Sequence, residues 1–234
     1  MITVYWSNRY PNFGDILTPF VLNYYNIAHT MSSNPETSDA MCIGSIIQRS
    51  TNNMIVLGSG VMHSKHKLNP DADYRFVRGP LTREKILSAG GLCPKIYGDP
   101  ALLLPLFCNE SKKEYDIGIV PHYVDYDEMK LQYPEYNIIN LKNHNPLEVA
   151  KEITKCRQII SSSLHGIIAA HAYGIPAAWI KFSNKVKGND IKFKDYFASV
   201  NVDTHITSIL DNVKFSTGIL PDLNKIEEKF KELL

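Results

Sequence analysis

The sequence predicts an α/β protein built of two Rossmann-like units that face one another across a cleft. Three observations carry this expectation. Apolar runs of strand length alternate with helix-length segments along the 234 residues, the pattern of parallel sheets with crossover helices. Several of those runs end in glycine, serine, aspartate or histidine, at the place where open α/β sheets bind ligands. The charged, polar run Asn109 to Glu114 then divides the series, giving units of residues 1–110 and 111–234.

Ile2 to Trp6 reads as the first strand, Ser7 to Gly14 as a loop, and Ile16 to Asn26 as a helix. Met41 to Ile47 suits either a short strand or a helix. Asn53 to Leu57 is a buried strand ending at Gly58-Ser59-Gly60, and Tyr74 to Val77 is another. Leu81 to Ala89 is a helix, with Pro80 suited to its first turn and Gly90-Gly91 closing it. Lys95 to Tyr97 is a strand ending at Gly98-Asp99-Pro100.

In the second unit, Tyr115 to Val120 and Tyr136 to Asn140 are strands, and Pro146 to Lys155 is a helix behind Asn145 as N-cap. Arg157 to Ile160 is a strand. A helical pattern, Ile167 to Tyr173, is broken by Gly174-Ile175-Pro176, and Ala177 to Ile180 is a strand. Ser183 to Asp195, rich in lysine and asparagine, reads as a mobile loop at the cleft edge or an ordinary solvated connection. A final amphipathic helix, 223–234, is expected to pack back on the first unit.

Hydrophobic residues make up 44% and charged residues 21%, as in soluble globular proteins. A formal net charge of +1 argues against nucleic acid as a partner, so any anion site must use a few placed cations. Cys42, Cys93, Cys108 and Cys156 show no metal-ligand spacing, and reduced structural thiols are expected. No metal is implied. Leu164 to Ile180 is interrupted by His165, His171 and Pro176 and is a poor membrane span. The chain starts directly as a strand, so a cytoplasmic location is expected, with peripheral membrane association left open.

Ser161-Ser162-Ser163-Leu164-His165-Gly166 lies between a strand and a helix. The N–H groups of a helix N-terminus suit a phosphate or carboxylate. Ser162, Ser163 and Gly166 are therefore binding candidates and His165 a catalytic one; the alternative is that the serines only cap the helix. In Asn12-Phe13-Gly14-Asp15, Asp15 either caps a helix or meets a sugar hydroxyl. Gly58 and Gly60 either let a ligand approach the backbone or form a tight turn, and they do not complete a dinucleotide fingerprint. Arg78 ends a strand, where its fork suits a carboxylate or phosphate. Asp99 either caps the segment after it or faces the cleft. His122 ends the first strand of the second unit, and Lys181 ends the Trp179-Ile180 strand.

Together, Asn12-Phe13-Gly14-Asp15, Gly58-Ser59-Gly60, Arg78-Gly79-Pro80-Leu81-Thr82, Gly98-Asp99-Pro100-Ala101, Pro121-His122-Tyr123-Val124-Asp125 and the serine–histidine segment resemble the polysaccharide pyruvyl transferase family, from about residue 8 to about residue 182. The resemblance implies a GT-B-like fold and transfer of a pyruvyl group from phosphoenolpyruvate to a sugar. The product is a cyclic ketal on a bacterial polysaccharide precursor, and the acceptor a lipid-linked sugar or an oligosaccharide. It implies that Arg78, His165 and Lys181 engage phosphoenolpyruvate; Asn12, Asp99, Gly58 and Gly60 are further substrate-binding candidates by their places in the motifs. No cofactor is needed. His165 would donate a proton or hold the departing phosphate, and His122 and Asp15 are acceptor-side groups, one of them a base.

There are two departures from the family pattern. Gly79 stands where many relatives have an aspartate after the arginine, and the chain is short for the family. The competing readings are a GT-B glycosyltransferase using a nucleotide sugar and a non-catalytic domain that binds a glycan or a partner protein.

Overall fold

β-Branched and aromatic side chains favour a pleated, half-buried surface, and the opening segment β1 (Ile2–Tyr5, Ile-Thr-Val-Tyr) forms a central strand. In the computed structural model, which describes residues 1–7 and 12–234, it is flanked in parallel by β2 (His29–Ser32) and β3 (Ala40–Met41). β4 (Ile55–Leu57) and β5 (Asp73–Phe76) continue the sheet, giving the order β2-β1-β3-β4-β5. Residues 8–11 of the Ser7–Gly14 loop lie outside the described residues. A second sheet of β6 (Tyr115–Val120), β7 (Asn137–Ile138), β8 (Cys156–Ser161) and β9 (Ala177–Trp179) is also all parallel, in the order β7-β6-β8-β9.

The helices are α1 (Thr18–Tyr24), α2 (Pro80–Ser88), α3 (Tyr126–Gln132), α4 (Pro146–Thr154), α5 (Leu164–Ala172), α6 (Ile191–Ser199) and α7 (Leu223–Lys231). Proline at the first position starts α2 and α4. The Asn145 side chain caps α4 by accepting from the Leu147 N–H at 3.1 Å.

Several expectations are corrected. Lys95 to Tyr97 forms no strand, only a single parallel bridge from Tyr97 to Val77. The polar run Ser183 to Asp195 is a loop only as far as Asp190, and α6 begins at Ile191. Phe193, Tyr196, Phe197 and Val200, all buried, recur at helical spacing there. β2 and α3 were not expected.

Beneath the strand ends the two sheets share one apolar core. Leu102, Leu103 and Leu104, in a 3₁₀ segment spanning Pro100–Leu106, are at most 1% exposed. They belong to the same buried cluster as Val4, Phe13 and Leu17 on one side and Val120, Ile168 and Trp179 on the other. The last helix, α7, packs on the first sheet. Phe230 stacks on Tyr25 with ring centroids 5.2 Å apart and meets Phe76 edge-on at 6.0 Å. Arg75 reaches Glu232 at 2.9 Å. Among the described residues no helix is long and apolar enough to cross a membrane. The four cysteines are free and buried.

Candidate functional site

A parallel sheet offers a crevice where its strand order reverses. The first sheet reverses between β1 and β3, the second between β6 and β8. The chain leaving β1 carries Ser7, Asn12 and Asp15, and the chain leaving β3 carries Ser45 and Ile46. The chain leaving β6 carries His122, Tyr123 and Val124, and the chain leaving β8 carries Ser163, Leu164 and His165. All of these line one cavity of about 260 Å³, closed by Met62, Lys185, Lys187 and Lys192. Both reversal points thus open into the same space.

His165 is 6% exposed. Its Nε2 lies 3.5 Å from Asp99 Oδ2, at ion-pair distance. The other Asp99 oxygen accepts from the Ala101 N–H at 3.0 Å, so this wholly buried carboxylate caps the Pro100–Leu106 segment, while Oδ2 faces the histidine without a hydrogen bond between them. The opposite side of the imidazole rests on Gly14, where a Cβ would lie 1.9 Å from Nδ1. Only glycine leaves room for the ring. Ser163 is the N-cap of α5 but makes no side-chain cap bond, so the first-turn N–H groups beside the cavity are uncapped by side chains.

Asp15 does not cap the helix it precedes. It borders the cavity and accepts from Asn12 Nδ2 at 3.1 Å. Burial raises its carboxyl pKa above the ordinary value, while the nearby His165 pulls it back. Lys192 enters from α6, 8% exposed. Its pKa is pulled down to about 8, chiefly by burial and then by the Arg78 charge, with Asp15 and Asp190 opposing. His122 is pushed down to about 4 by burial, then by Lys192, so it is neutral at neutral pH. Its Nδ1 accepts from the Val124 N–H at 3.4 Å, which leaves the proton on Nε2.

The remaining expected residues lie elsewhere. Arg78 is fully buried beneath the cavity and faces Asp195 Oδ2 at 3.3 Å. Asp195, equally buried, also accepts from the Thr82 N–H at 2.9 Å and the Thr82 hydroxyl at 2.6 Å, holding the first turn of α2. A Cβ at Gly79 would lie 2.0 Å from the Asp195 carbonyl oxygen. The carboxylate beside Arg78 thus comes from α6, and Gly79 leaves room for the backbone that carries it.

Gly60 makes room for Arg78, since a Cβ there would lie 2.3 Å from the guanidinium carbon. Gly58, at φ +86°, turns the chain against Pro100 and Phe76. Gly166 packs inward on Ser161 and Val120. Lys181 pairs with Asp190 at 2.6 Å and lines a second chamber of about 110 Å³. Ser162 lines that chamber too, its Oγ accepting from the His122 N–H at 2.8 Å. Lys187 and Lys192 border both chambers.

The loop 183–190 spans from the second sheet to the first. Asn189 exchanges hydrogen bonds with Ser64, its Oδ1 accepting from the Ser64 N–H at 3.1 Å and its Nδ2 donating to Ser64 Oγ at 2.5 Å. Lys185 pairs with Glu128 at 2.8 Å. Sequence reading missed Lys192 and Asp195; the helical spacing of Phe193, Tyr196, Phe197 and Val200 is the signal that places them. Among the described residues, no group of three or more His, Cys, Asp or Glu side chains is arranged to hold a metal ion.

Fold and site together define an α/β protein with a cation-lined cavity at the paired reversal points of two parallel sheets. Comparison with known sequences makes the class specific. The chain belongs to the polysaccharide pyruvyl transferase family, whose model matches residues 5–184. Lys192 and Asp195 lie beyond the matched residues.

The succinoglycan biosynthesis protein ExoV of Rhizobium meliloti (strain 1021) is 27% identical over 214 residues, covering 85% of this chain and 64% of that protein. The uncharacterized protein L143 of Acanthamoeba polyphaga mimivirus is 33% identical over 171 residues, covering 69% of this chain and 60% of that protein. The chain thus aligns with less than two thirds of the length of either relative.

Proposed function

We propose that the protein transfers the pyruvyl group of phosphoenolpyruvate to two hydroxyls of a sugar, forming a cyclic ketal on a polysaccharide precursor. The supporting observation is the one cavity that His165, with Asp99 facing it, lines together with Lys192 and the uncapped first turn of α5. A donor with a phosphate and a carboxylate suits that set of cations and N–H groups. Family membership and the succinoglycan-related relative agree with a glycan acceptor.

In this reading Lys192 and the α5 N-terminus hold the donor, and His165 gives a proton to its methylene carbon. The adjacent carbon becomes electrophilic and is attacked by the first sugar hydroxyl. Phosphate leaves as the second hydroxyl closes the ring. Of the two hydroxyl protons released, one restores His165 and the other leaves with phosphate. Asp15, its pKa raised, takes the proton of the second hydroxyl and hands it to the departing phosphate, while the proton of the first hydroxyl restores His165. His122, neutral, offers a hydrogen bond from Nε2.

A cavity of about 260 Å³ is small against the 300–1,000 Å³ of sites for drug-sized ligands. That volume suits a compact donor, and a larger one would have to extend into the adjoining chamber that shares Lys187 and Lys192. The test is mass spectrometry of lipid-linked and nitrophenyl sugars incubated with phosphoenolpyruvate. One pyruvyl ketal gained and one phosphate released supports the reading. Stabilisation by nucleoside diphosphates and none by phosphoenolpyruvate would turn it toward glycosyl transfer.

The lysine also makes binding depend on pH. An anion binds better to protonated Lys192, so donor affinity is expected to fall as pH rises through about 8. His122 stays neutral over that range. Lys192→Met should weaken donor binding and remove the alkaline limb of a titration of affinity against pH. Persistence of the same limb in the variant assigns it to another group.

A further inference from the structure

The guanidinium of Arg78 is too deep to touch a ligand, with a side chain 0% exposed. Its two terminal nitrogens are hydrogen-bonded, and Nε makes only an ion-pair contact. Nε faces Asp195, Nη2 donates to the Val61 carbonyl at 2.8 Å, and Nη1 donates to Ser45 Oγ at 2.7 Å. The compensating carboxylate thus lies on the Nε side, while Nη1 is directed at a residue of the cavity wall. The pair is neutral as a whole, but it presents a cationic edge to Ser45.

A hydroxyl that accepts from Nη1 still has its own proton to give. Among the described residues, no acceptor for the Ser45 hydroxyl hydrogen is found. Accepting from a cation polarises that hydroxyl and strengthens it as a donor. The backbone fixes its place. Gly44 adopts φ +126°, a left-handed turn that suits glycine, and a Cβ there would lie 2.9 Å from Asp15 Oδ1. Gly44 thus lies against Asp15 at the reversal point of the first sheet, and Ser45 and Asp15 both line the cavity wall that His165 completes from the second.

We propose that Ser45 is a substrate-contacting residue whose hydroxyl donates to an anionic oxygen of the donor, phosphate or carboxylate, with Arg78 and Asp195 acting through it as positioning residues. The inference rests on the phosphoenolpyruvate reading of the cavity.

The experiment compares wild type and Ser45→Ala by calorimetric titration with phosphoenolpyruvate and, separately, with inorganic phosphate and with pyruvate, and by steady-state kinetics. Loss of a hydrogen bond to a charged group is expected to weaken phosphoenolpyruvate binding roughly 10- to 100-fold, with turnover at saturating donor changed far less. Whichever of phosphate or pyruvate weakens in parallel identifies the oxygen contacted. Thermal unfolding of each variant accompanies the titrations. If Ser45→Ala loses its fold, Ser45→Cys keeps the bulk with a much poorer donor and should show the same direction of change.

A folded variant that binds phosphoenolpyruvate as the wild type does overturns the proposal. Wild type that binds no phosphoenolpyruvate but binds inorganic phosphate is a different result. It removes the donor reading, while the phosphate titration of Ser45→Ala still decides whether Ser45 contacts an anion.

Discussion

Replacing His165 by alanine is expected to lower turnover with phosphoenolpyruvate and a sugar acceptor by roughly 10²–10⁴-fold, the usual range for loss of a positioned acid–base group. The imidazole is wedged between the Gly14 backbone and the Asp99 carboxylate and reaches the cavity with a small exposed edge. Its removal leaves Asp99 with its cap contact to Ala101. The kcat and donor KM are read together. A fall in kcat at unchanged KM assigns proton donation, and a parallel rise in KM assigns a grip on phosphate. Near wild-type turnover would falsify any catalytic part for His165. Asp99→Asn should lower kcat as well, because a neutral amide then replaces the carboxylate that faces Nε2 at 3.5 Å.

The second large effect is on stability. Asp195→Ala is expected to cost about 3–5 kcal/mol, measured by urea denaturation, because it strands a fully buried guanidinium. It also removes the acceptor for the Thr82 N–H and hydroxyl at the start of α2. The double variant Arg78→Leu with Asp195→Leu should recover much of that stability, since apolar replacement of a buried ion pair is often close to neutral. It should not recover donor binding, because Ser45 then loses its polarising neighbour. If Asp195→Ala unfolds at the wild-type urea midpoint, the pair contributes little to the fold.

The legible part of the fold is the part with local signals. β6 is bounded by Glu114 and Pro121, and its limits, Tyr115–Val120, agree with the sequence expectation. Asn145-Pro146 marks the start of α4 through a cap and a favourable first residue. β2, by contrast, is His-Thr-Met-Ser on a sheet edge, with one face solvated and no apolar alternation to read. α6 is disguised by Lys192 and Lys194 and by the polar loop before it.

The site divides in the same way. His122, Ser163 and His165 come just after strand ends, Asp15 at the far end of the loop that leaves β1, and β–α alternation is enough to bring strand ends together. The partner of Arg78 cannot be read locally, because Asp195 meets the start of α2 from 113 residues beyond Thr82. Nor does composition reveal that a lysine beside Phe193 is buried; only the packing of α6 on α2 does.

The leucines of the Pro100–Leu106 segment set a limit on how the molecule can breathe. Swinging the two sheets apart like jaws would bring Leu102, Leu103 and Leu104 toward water, at about 1.5–3 kcal/mol for each side chain fully uncovered. The ends of the loop 183–190 are held by Ser183 on the buried Asp125 and by Asp190 on Lys181. Its tip is tethered more lightly, by the exposed Asn189–Ser64 contacts and an ion pair between half-exposed Lys185 and Glu128, the sort of surface pair worth about 0–1 kcal/mol. A hinge through the middle of the protein is therefore the costly way in, and peeling back this one strip of chain the cheap one. Among the described residues, the tip of that loop, with Lys185 and Lys187 at the cavity rim, is thus the part of the wall that costs least to displace.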